Sequence, residues 1–77
     1  MIVRLEHLRL PRGFSKRPGY CHRGARQWFA RNGLDWDHFR HHGIDSAVLL
    51  RIGDPFAVAL VAAVEAADAA QEAAHGR

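Results

Sequence analysis

Three stretches at ten-residue intervals decide the fold: Gly33-Leu34-Asp35, Gly43-Ile44-Asp45 and Gly53-Asp54-Pro55. Each begins with a glycine, and an aspartate follows within two residues. Glycine commonly follows the last residue of a helix because it adopts the left-handed conformation without strain, and aspartate accepts hydrogen bonds from the unpaired amides that begin the next helix. The spacing therefore predicts a series of short helices in the middle of the chain.

The first helix is predicted from about His22 to Asn32, before the first of these glycines. Apolar residues recur there every three or four positions, as in an amphipathic helix. One side of the helix is therefore predicted to be buried, and arginines occupy the other side. The predicted buried face consists of Ala25, Trp28, Phe29 and Asn32.

The second and third helices are predicted to begin with the same device. Leu34 and Phe39 flank the start of the second helix, and Ile44 and Leu49 flank the start of the third. A contact between the residue before a helix cap and the fourth helical residue, the hydrophobic staple, fixes the direction in which the chain enters a helix. Both pairs have that spacing, which supports two short helices.

The fourth helix is predicted to begin with Asp54 as its cap and Pro55 at its first position, where proline loses no hydrogen bond. After Ala67 the sequence is rich in alanine, so intrinsic propensity rather than packing holds the helix, and we expect it to fray before His75-Gly76-Arg77. Its predicted buried stripe is Phe56, Leu60, Ala63, Val64, Ala67 and Ala70.

The N-terminal residues are less regular. Residues 2–10 fit either a short strand or one helical turn followed by an extended arm, and turn signals predict a loop over 11–20 that Phe14 and Tyr20 pin to the core. The sequence thus predicts a mainly α domain, a small bundle of three short helices and one longer C-terminal helix. Residues 1–20 form its N-terminal arm and basic loop, and 21–74 its helical domain.

Length and composition limit the class of protein. A chain of 77 residues is one domain, and at that size it buries only about 60% of the surface of the unfolded chain. A single cysteine gives no internal disulfide, the N-terminus has no signal-peptide pattern, and the apolar run 55–64 is too short to span a bilayer. We expect a soluble intracellular protein.

Charge is distributed unevenly along the chain. Residues 1–40 carry nine Lys or Arg and three acids, whereas residues 41–77 carry two and five. Such a basic block attracts phosphate or an acidic protein surface. The predicted binding residues are Lys16 and Arg17 in the loop and Arg23, Arg26 and Arg31 on the first helix; we call the last three the basic ridge.

Metal binding and catalysis find little support in the sequence. Cys21, His22, His38, His41 and His42 form a cluster, but they lack the paired spacing of a zinc site. We interpret the histidines as surface residues and Cys21 as a small buried residue. Because no nucleophile, base and orienting group can be assembled, we expect no enzyme, no cofactor and no metal.

The two tryptophans allow a structural and a functional interpretation. Aromatic side chains between cations are the usual surface for stacking the bases of single-stranded nucleic acids. Trp28 and Trp36 both fall on predicted apolar faces, however, so we interpret each of them as a core residue.

From Cys21 the chain reads Cys-x-Arg-Gly-x-Arg-x-Trp-Phe-x-Arg and then Gly-Leu-Asp-Trp-x-x-Phe, continuing through Gly43-Ile44 to Gly53-Asp54. Over residues 20–65 it resembles a family of small uncharacterised proteins from tailed bacteriophages and prophages. The resemblance implies a phage origin, a location in the host bacterial cytoplasm or the virion, and no known enzymatic role.

The rhythm of short helices is also similar to that of sterile-alpha-motif domains, which act through self-association or partner binding. We therefore expect a phage-encoded protein that binds a macromolecule through its basic face, in virion assembly or on a host protein. The alternative is a regulatory protein that binds nucleic acid with the same face.

Overall fold

The computed structural model describes residues 1–10 and 21–75, and in this part of the chain the fold is mainly helical, as the sequence predicts. The predicted loop over 11–20, with Phe14 and Tyr20, lies outside the described residues. The helices are α1 (His22–Arg31), α2 (Trp36–His42), α3 (Ser46–Ile52) and α4 (Pro55–His75); a 3₁₀ helix spans Leu5–Arg9, and two strands are β1 (Ile2–Val3) and β2 (Ile44–Asp45).

The predicted helix ends at the three glycines and the predicted helix starts at the three aspartates are confirmed. All three glycines have positive φ, with values of 67° at Gly33, 80° at Gly43 and 70° at Gly53. Each predicted cap accepts a hydrogen bond from a backbone amide of the helix that it begins, and this satisfies a donor that has no partner inside the helix. The caps are Asp35 for His38 at 3.0 Å, Asp45 for Ala47 at 2.9 Å and Asp54 for Ala57 at 2.9 Å.

The N-terminus contains both of the predicted alternatives, a strand and then a helical turn. Strand β1 pairs antiparallel with β2, with Ile2 opposite Asp45 and Val3 opposite Ile44, and the 3₁₀ helix follows. Gly43 makes this pairing possible, because a Cβ atom there would lie 2.6 Å from Ile2 Cγ2 and 2.8 Å from the carbonyl oxygen of Val3. Neither distance is sterically allowed, so the strand packs directly on glycine.

The core consists of buried apolar side chains from all the helices. Both predicted staples end in it, since Phe39 and Leu49 are buried and their partners Leu34 and Ile44 pack against it from the edge. Of the predicted face of α1, only Asn32 is exposed, although its side-chain amide bonds to the carbonyl oxygen of Trp28 at 2.9 Å. The buried residues are Val3, Leu8, Ala25, Trp28, Phe29, Phe39, Leu49, Ala57, Leu60, Val61 and Val64.

Helix α4 differs from the prediction in two respects. Its fully buried positions are Ala57, Leu60, Val61 and Val64, whereas Ala70 is exposed, so the predicted stripe is wrong at its end. The helix is also continuous to His75, where the prediction has it fray. From Glu65 to Gln71 none of its residues is fully buried, and Ala67 alone is partly buried. The second half depends on the intrinsic propensity of alanine.

The 3₁₀ helix lies between two helices, contacting α2 on one side and α4 on the other, while α1 packs on α2. Leu8 points into the core from the 3₁₀ helix and is fully buried, which leaves Arg4 and Arg9 exposed at its two ends. The exposed sides of the 3₁₀ helix, α1 and α2 therefore face a common depression.

Candidate functional site

Two adjoining open cavities occupy this depression, with volumes of about 350 and 340 Å³. Leu5, His22 and Arg40 line both of them, so the two form one continuous groove. We call it the arginine groove after its five arginines. These are Arg4 and Arg9 in the first cavity, Arg23 and Arg26 in the second, and Arg40 in both.

Three elements bring these arginines together. Arg4 is the residue before the 3₁₀ helix, Arg9 is the last residue of that helix, and Arg40 lies in the last turn of α2. Arg23 and Arg26 are three residues apart on α1, which places them on the same side of a helix. Their position follows from the burial of Ala25, Trp28 and Phe29, because a helix with one side in the core presents the other to solvent.

Positive charge dominates the groove. Glu6 is the acid among the residues that line the two cavities, against five arginines. Arg40 Nη2 lies 3.0 Å from Asp37 Oδ1, but the two side chains are 50% and 76% exposed, so solvent screens the pair and it contributes little to stability. Within residues 1–10 and 21–75, the other four arginines have no carboxylate within ion-pair distance. A concave surface of one sign concentrates counter-charged ligands.

Trp36 lies in the second cavity, beside Arg23, Arg26 and Arg40. Its ring is supported from the core by Phe29, with ring centroids 5.3 Å apart, and by Phe39 at 5.4 Å. On the groove side the imidazole of His22 approaches it edge-on, at 6.4 Å. The interpretation of both tryptophans as core residues is therefore right for Trp28, which is 5% exposed, whereas Trp36 is only partly buried.

No family model, curated protein or solved structure matches the chain. The function must therefore be argued from the chemistry of the site.

The predicted binding residues divide into three groups. Arg23 and Arg26 line the groove, as a basic face on α1 predicts. Arg31 is exposed on the same helix but lines neither cavity. Lys16 and Arg17 lie outside the described residues. The fold thus places two of the three arginines of the basic ridge at the groove and the third outside it.

Sequence reasoning missed Arg4, Arg9 and Arg40 as members of this site. They are separated from Arg23 along the chain by at least a dozen residues, and no local spacing connects them. Only the packing of the 3₁₀ helix against α2 brings them to one surface. The available signal was the excess of cations in residues 1–40. It indicates which half of the chain carries the site, but not which arginines belong to it.

The predicted polar cluster is exposed at the surface, with three of its histidines adjacent on α2 and with His22 and His41 both lining the first cavity. Cys21 is exposed, so its interpretation as a buried residue is wrong: it occupies the capping position before α1, where the chain enters the helix at the surface. His38 and His42 are exposed, with ring centroids 4.8 Å apart on α2. In the described part of the chain, no three His, Cys, Asp or Glu residues converge as a metal would require.

Among the described residues, none of the helices combines the length and the apolar character needed to cross a bilayer.

Proposed function

We propose that this protein binds a polyanionic macromolecule in the arginine groove. The observation that carries the proposal is the convergence of five arginines from three separate elements on one continuous depression. Arginine is always charged and presents its N–H groups in a planar fork that matches phosphate and carboxylate oxygens. A groove lined in this way suits the recognition of several anionic groups along one chain.

Binding rather than catalysis is the role that these side chains favour. Arginine does not give up its proton at physiological pH, so the groove holds anions but is poorly suited to proton transfer. The concave shape of the groove also favours a flexible ligand over a flat protein surface, because the arginines line a depression.

A phage context is part of the proposal. The resemblance of residues 20–65 to small proteins of tailed bacteriophages supports a role in virion assembly or on a host protein, in the host cytoplasm or on the virion. A protein partner would offer an acidic segment to the groove, and a nucleic acid would offer its phosphates.

The test uses inorganic polyphosphate and poly-L-glutamate as two chemically simple polyanions. We expect at least one of them to bind the full chain at low salt, as measured by calorimetry, and the variant Arg26→Glu/Arg40→Glu to lose that binding at least tenfold. Arg31→Glu/Arg51→Glu is the matched control, because it makes the same change of net charge at two exposed arginines, on α1 and α3, that line neither cavity.

Circular dichroism and thermal melting must show that the double variant is folded, which we expect because exposed charges add little to stability. Equal losses of binding in the groove variant and in the Arg31→Glu/Arg51→Glu control would mean that only net charge matters, and would contradict the proposal. Failure of both polyanions to bind would also contradict it.

A further inference from the structure

The second cavity of the arginine groove combines cations with a partly buried aromatic side chain, and this combination indicates a narrower class of ligand. Trp36 lines the cavity together with Arg23, Arg26 and Arg40. An acidic peptide has carboxylates to offer such a site but needs no aromatic platform. A nucleic acid offers a planar base between successive phosphates, and base stacking on an aromatic ring is largely independent of sequence.

The indole of Trp36 is held in place from behind. Phe29 meets it at an interplanar angle of 83° and Phe39 at 45°, and both phenylalanines are buried. Its position therefore follows from the core packing and does not have to be ordered when a ligand arrives. Pre-organised aromatic side chains lower the entropic cost of binding.

The indole N–H of Trp36 is also available to a ligand. Within the described residues no hydrogen-bond acceptor is recorded for it, whereas the buried Trp28 donates to Asp54 Oδ2 at 2.6 Å. A tryptophan that serves only the core normally satisfies its N–H, as Trp28 does. Trp36 instead lies partly exposed at a cavity whose other polar groups are cationic or imidazole.

The geometry favours a single strand over a duplex. In a duplex the faces of the bases are covered by their neighbours, and reading it requires an element that enters a groove of the DNA. Here the cations line a depression in the protein, and α2, which carries Trp36 and Arg40, has only seven residues. An unpaired strand can turn a base toward the protein, while its phosphates follow the arginines of both cavities.

We propose that the arginine groove binds single-stranded nucleic acid, with one base against Trp36 between Arg23, Arg26 and Arg40, and with flanking phosphates on Arg4 and Arg9. This inference rests on the proposed function and narrows its ligand from polyanions in general to an unpaired strand.

The experiment measures binding of the full chain to fluorescein-labelled dT20 by anisotropy, beside a 20-base-pair duplex and inorganic polyphosphate as unlabelled competitors. We expect dT20 to bind more tightly than the duplex. Trp36→Leu should weaken dT20 binding about five- to hundredfold, the range for removing one stacked base, and leave polyphosphate binding within twofold. Trp36→Phe, which keeps an aromatic face, should retain most of the affinity.

A second measurement does not depend on the folding of a Trp36 variant. The chain has two tryptophans, so Trp36 is the only one in Trp28→Phe. We expect dT20 to quench its fluorescence in that background, because a stacked base contacts the indole. Polyphosphate should leave the fluorescence within a few per cent of the starting value, because it has no base.

Each outcome separates the two proposals. If polyphosphate or poly-L-glutamate binds but dT20 neither binds more tightly than the duplex nor quenches Trp36, the inference about a single strand is wrong and the polyanion proposal stands. If dT20 affinity is unchanged by Trp36→Leu in a folded variant, the base does not stack there. If no polyanion binds, both proposals fail.

Discussion

The indole N–H of Trp28 donates a hydrogen bond to the carboxylate of Asp54, with 2.6 Å between Nε1 and Oδ2. The other carboxylate oxygen, Oδ1, accepts from the amide of Ala57 at 2.9 Å, so one aspartate both caps α4 and ties it to α1. Trp28 is 5% exposed and Asp54 is partly buried, so the bond is partly shielded from water. A charge-assisted hydrogen bond between residues 26 positions apart thereby connects α1 with the start of α4.

A double-mutant cycle measures this connection. Serine still caps a helix but cannot reach as far as aspartate, and phenylalanine keeps most of the ring but has no donor. We expect Asp54→Ser and Trp28→Phe each to lower the free energy of unfolding, with a coupling of about 1–2 kcal/mol in urea melts. Asp45→Ser is the control, since Asp45 is a cap without an indole partner, and it should lose under about 0.5 kcal/mol. A coupling near zero would contradict the role of the bond.

Aromatic residues hold the core of this small domain together. Phe39 is buried against Phe29, with ring centroids 4.7 Å apart, and Trp28 packs at 4.7 Å from Phe56. We expect Trp28→Ala and Phe39→Ala each to cost about 3–5 kcal/mol in denaturant melts, enough to unfold a domain whose total stability is about 5 kcal/mol.

The matched control for these deletions is Leu50→Ala. Leu50 is 49% exposed on α3, so its truncation should cost under about 1 kcal/mol. Losses under 1 kcal/mol for both aromatic variants would mean that the described packing is wrong.

Gly33 and Gly43 both have positive φ but differ in what surrounds them. Gly33 has φ of 67° with nothing within 4 Å of a Cβ, whereas at Gly43 a Cβ would overlap Ile2 and the backbone of Val3. We expect Gly33→Ala to cost about 1–2 kcal/mol for left-handed strain alone. Gly43→Ala should cost at least about 2 kcal/mol more, because the new Cβ overlaps Ile2 and the backbone of Val3. Its φ and ψ of 80° and −175° also belong to a region that only glycine occupies readily.

Hydrogen exchange gives this comparison a local measurement. The Ser46 amide donates to the carbonyl oxygen of Met1 at 2.8 Å, next to the paired strands. In Gly43→Ala this amide should exchange faster relative to the core amides, while Gly33→Ala should leave the ratio unchanged. Equal destabilisation by both alanines would show that β1 does not pack on Gly43.

The helical part of the fold was predictable because its signals are local. Each glycine and aspartate acts within four residues of its own position, so the ends of α1, α2 and α3 follow from short stretches of sequence. The pairing of β1 with β2 was not predictable, because two residues in each strand carry no alternation and the partners lie about forty positions apart. The hydrogen bond from Trp28 to Asp54 was not predictable either, because its partners lie 26 positions apart.

The candidate site was predictable only in outline. The amphipathic pattern of α1 predicts that Arg23 and Arg26 are exposed on its polar side, but it predicts the same for Arg31. What separates Arg31 from them is the position of the 3₁₀ helix and α2 beside the N-terminal half of α1, which is a property of the packing. Likewise, the sequence pattern places Trp36 on an apolar helix face, but it does not predict that Trp36 lies at the edge of the core and is only partly buried.

Replacement of the exposed cysteine should improve the start of α1. Cys21 occupies the capping position, where its side chain makes no capping hydrogen bond. A serine hydroxyl at a helix start accepts from a backbone amide, so we expect Cys21→Ser to raise the free energy of unfolding by about 0.5–1 kcal/mol. Polyanion binding should be unchanged, since Cys21 lines neither cavity. A loss of binding in the folded variant would instead place the thiol at the ligand.

Arg26 and Arg31 form a matched pair that distinguishes the groove from the basic ridge. Both are exposed arginines of α1, five residues apart, but only Arg26 lines a cavity. For a single strand, the logarithm of the binding constant falls with the logarithm of salt concentration with a slope of about −0.7 per phosphate contact. Arg26→Gln should therefore weaken dT20 binding and make the slope shallower by about 0.7, whereas Arg31→Gln should leave both unchanged.

The measurement is a titration of dT20 at four or more salt concentrations, with thermal melts of each variant. Arg31 lies in the last turn of α1, where a cation interacts favourably with the helix dipole, so its loss should cost a few tenths of a kcal/mol in stability without touching the slope. Equal changes of slope in both variants would assign binding to the ridge. No change of slope in either would remove α1 from the binding surface and leave Arg4, Arg9 and Arg40 as its remaining candidates.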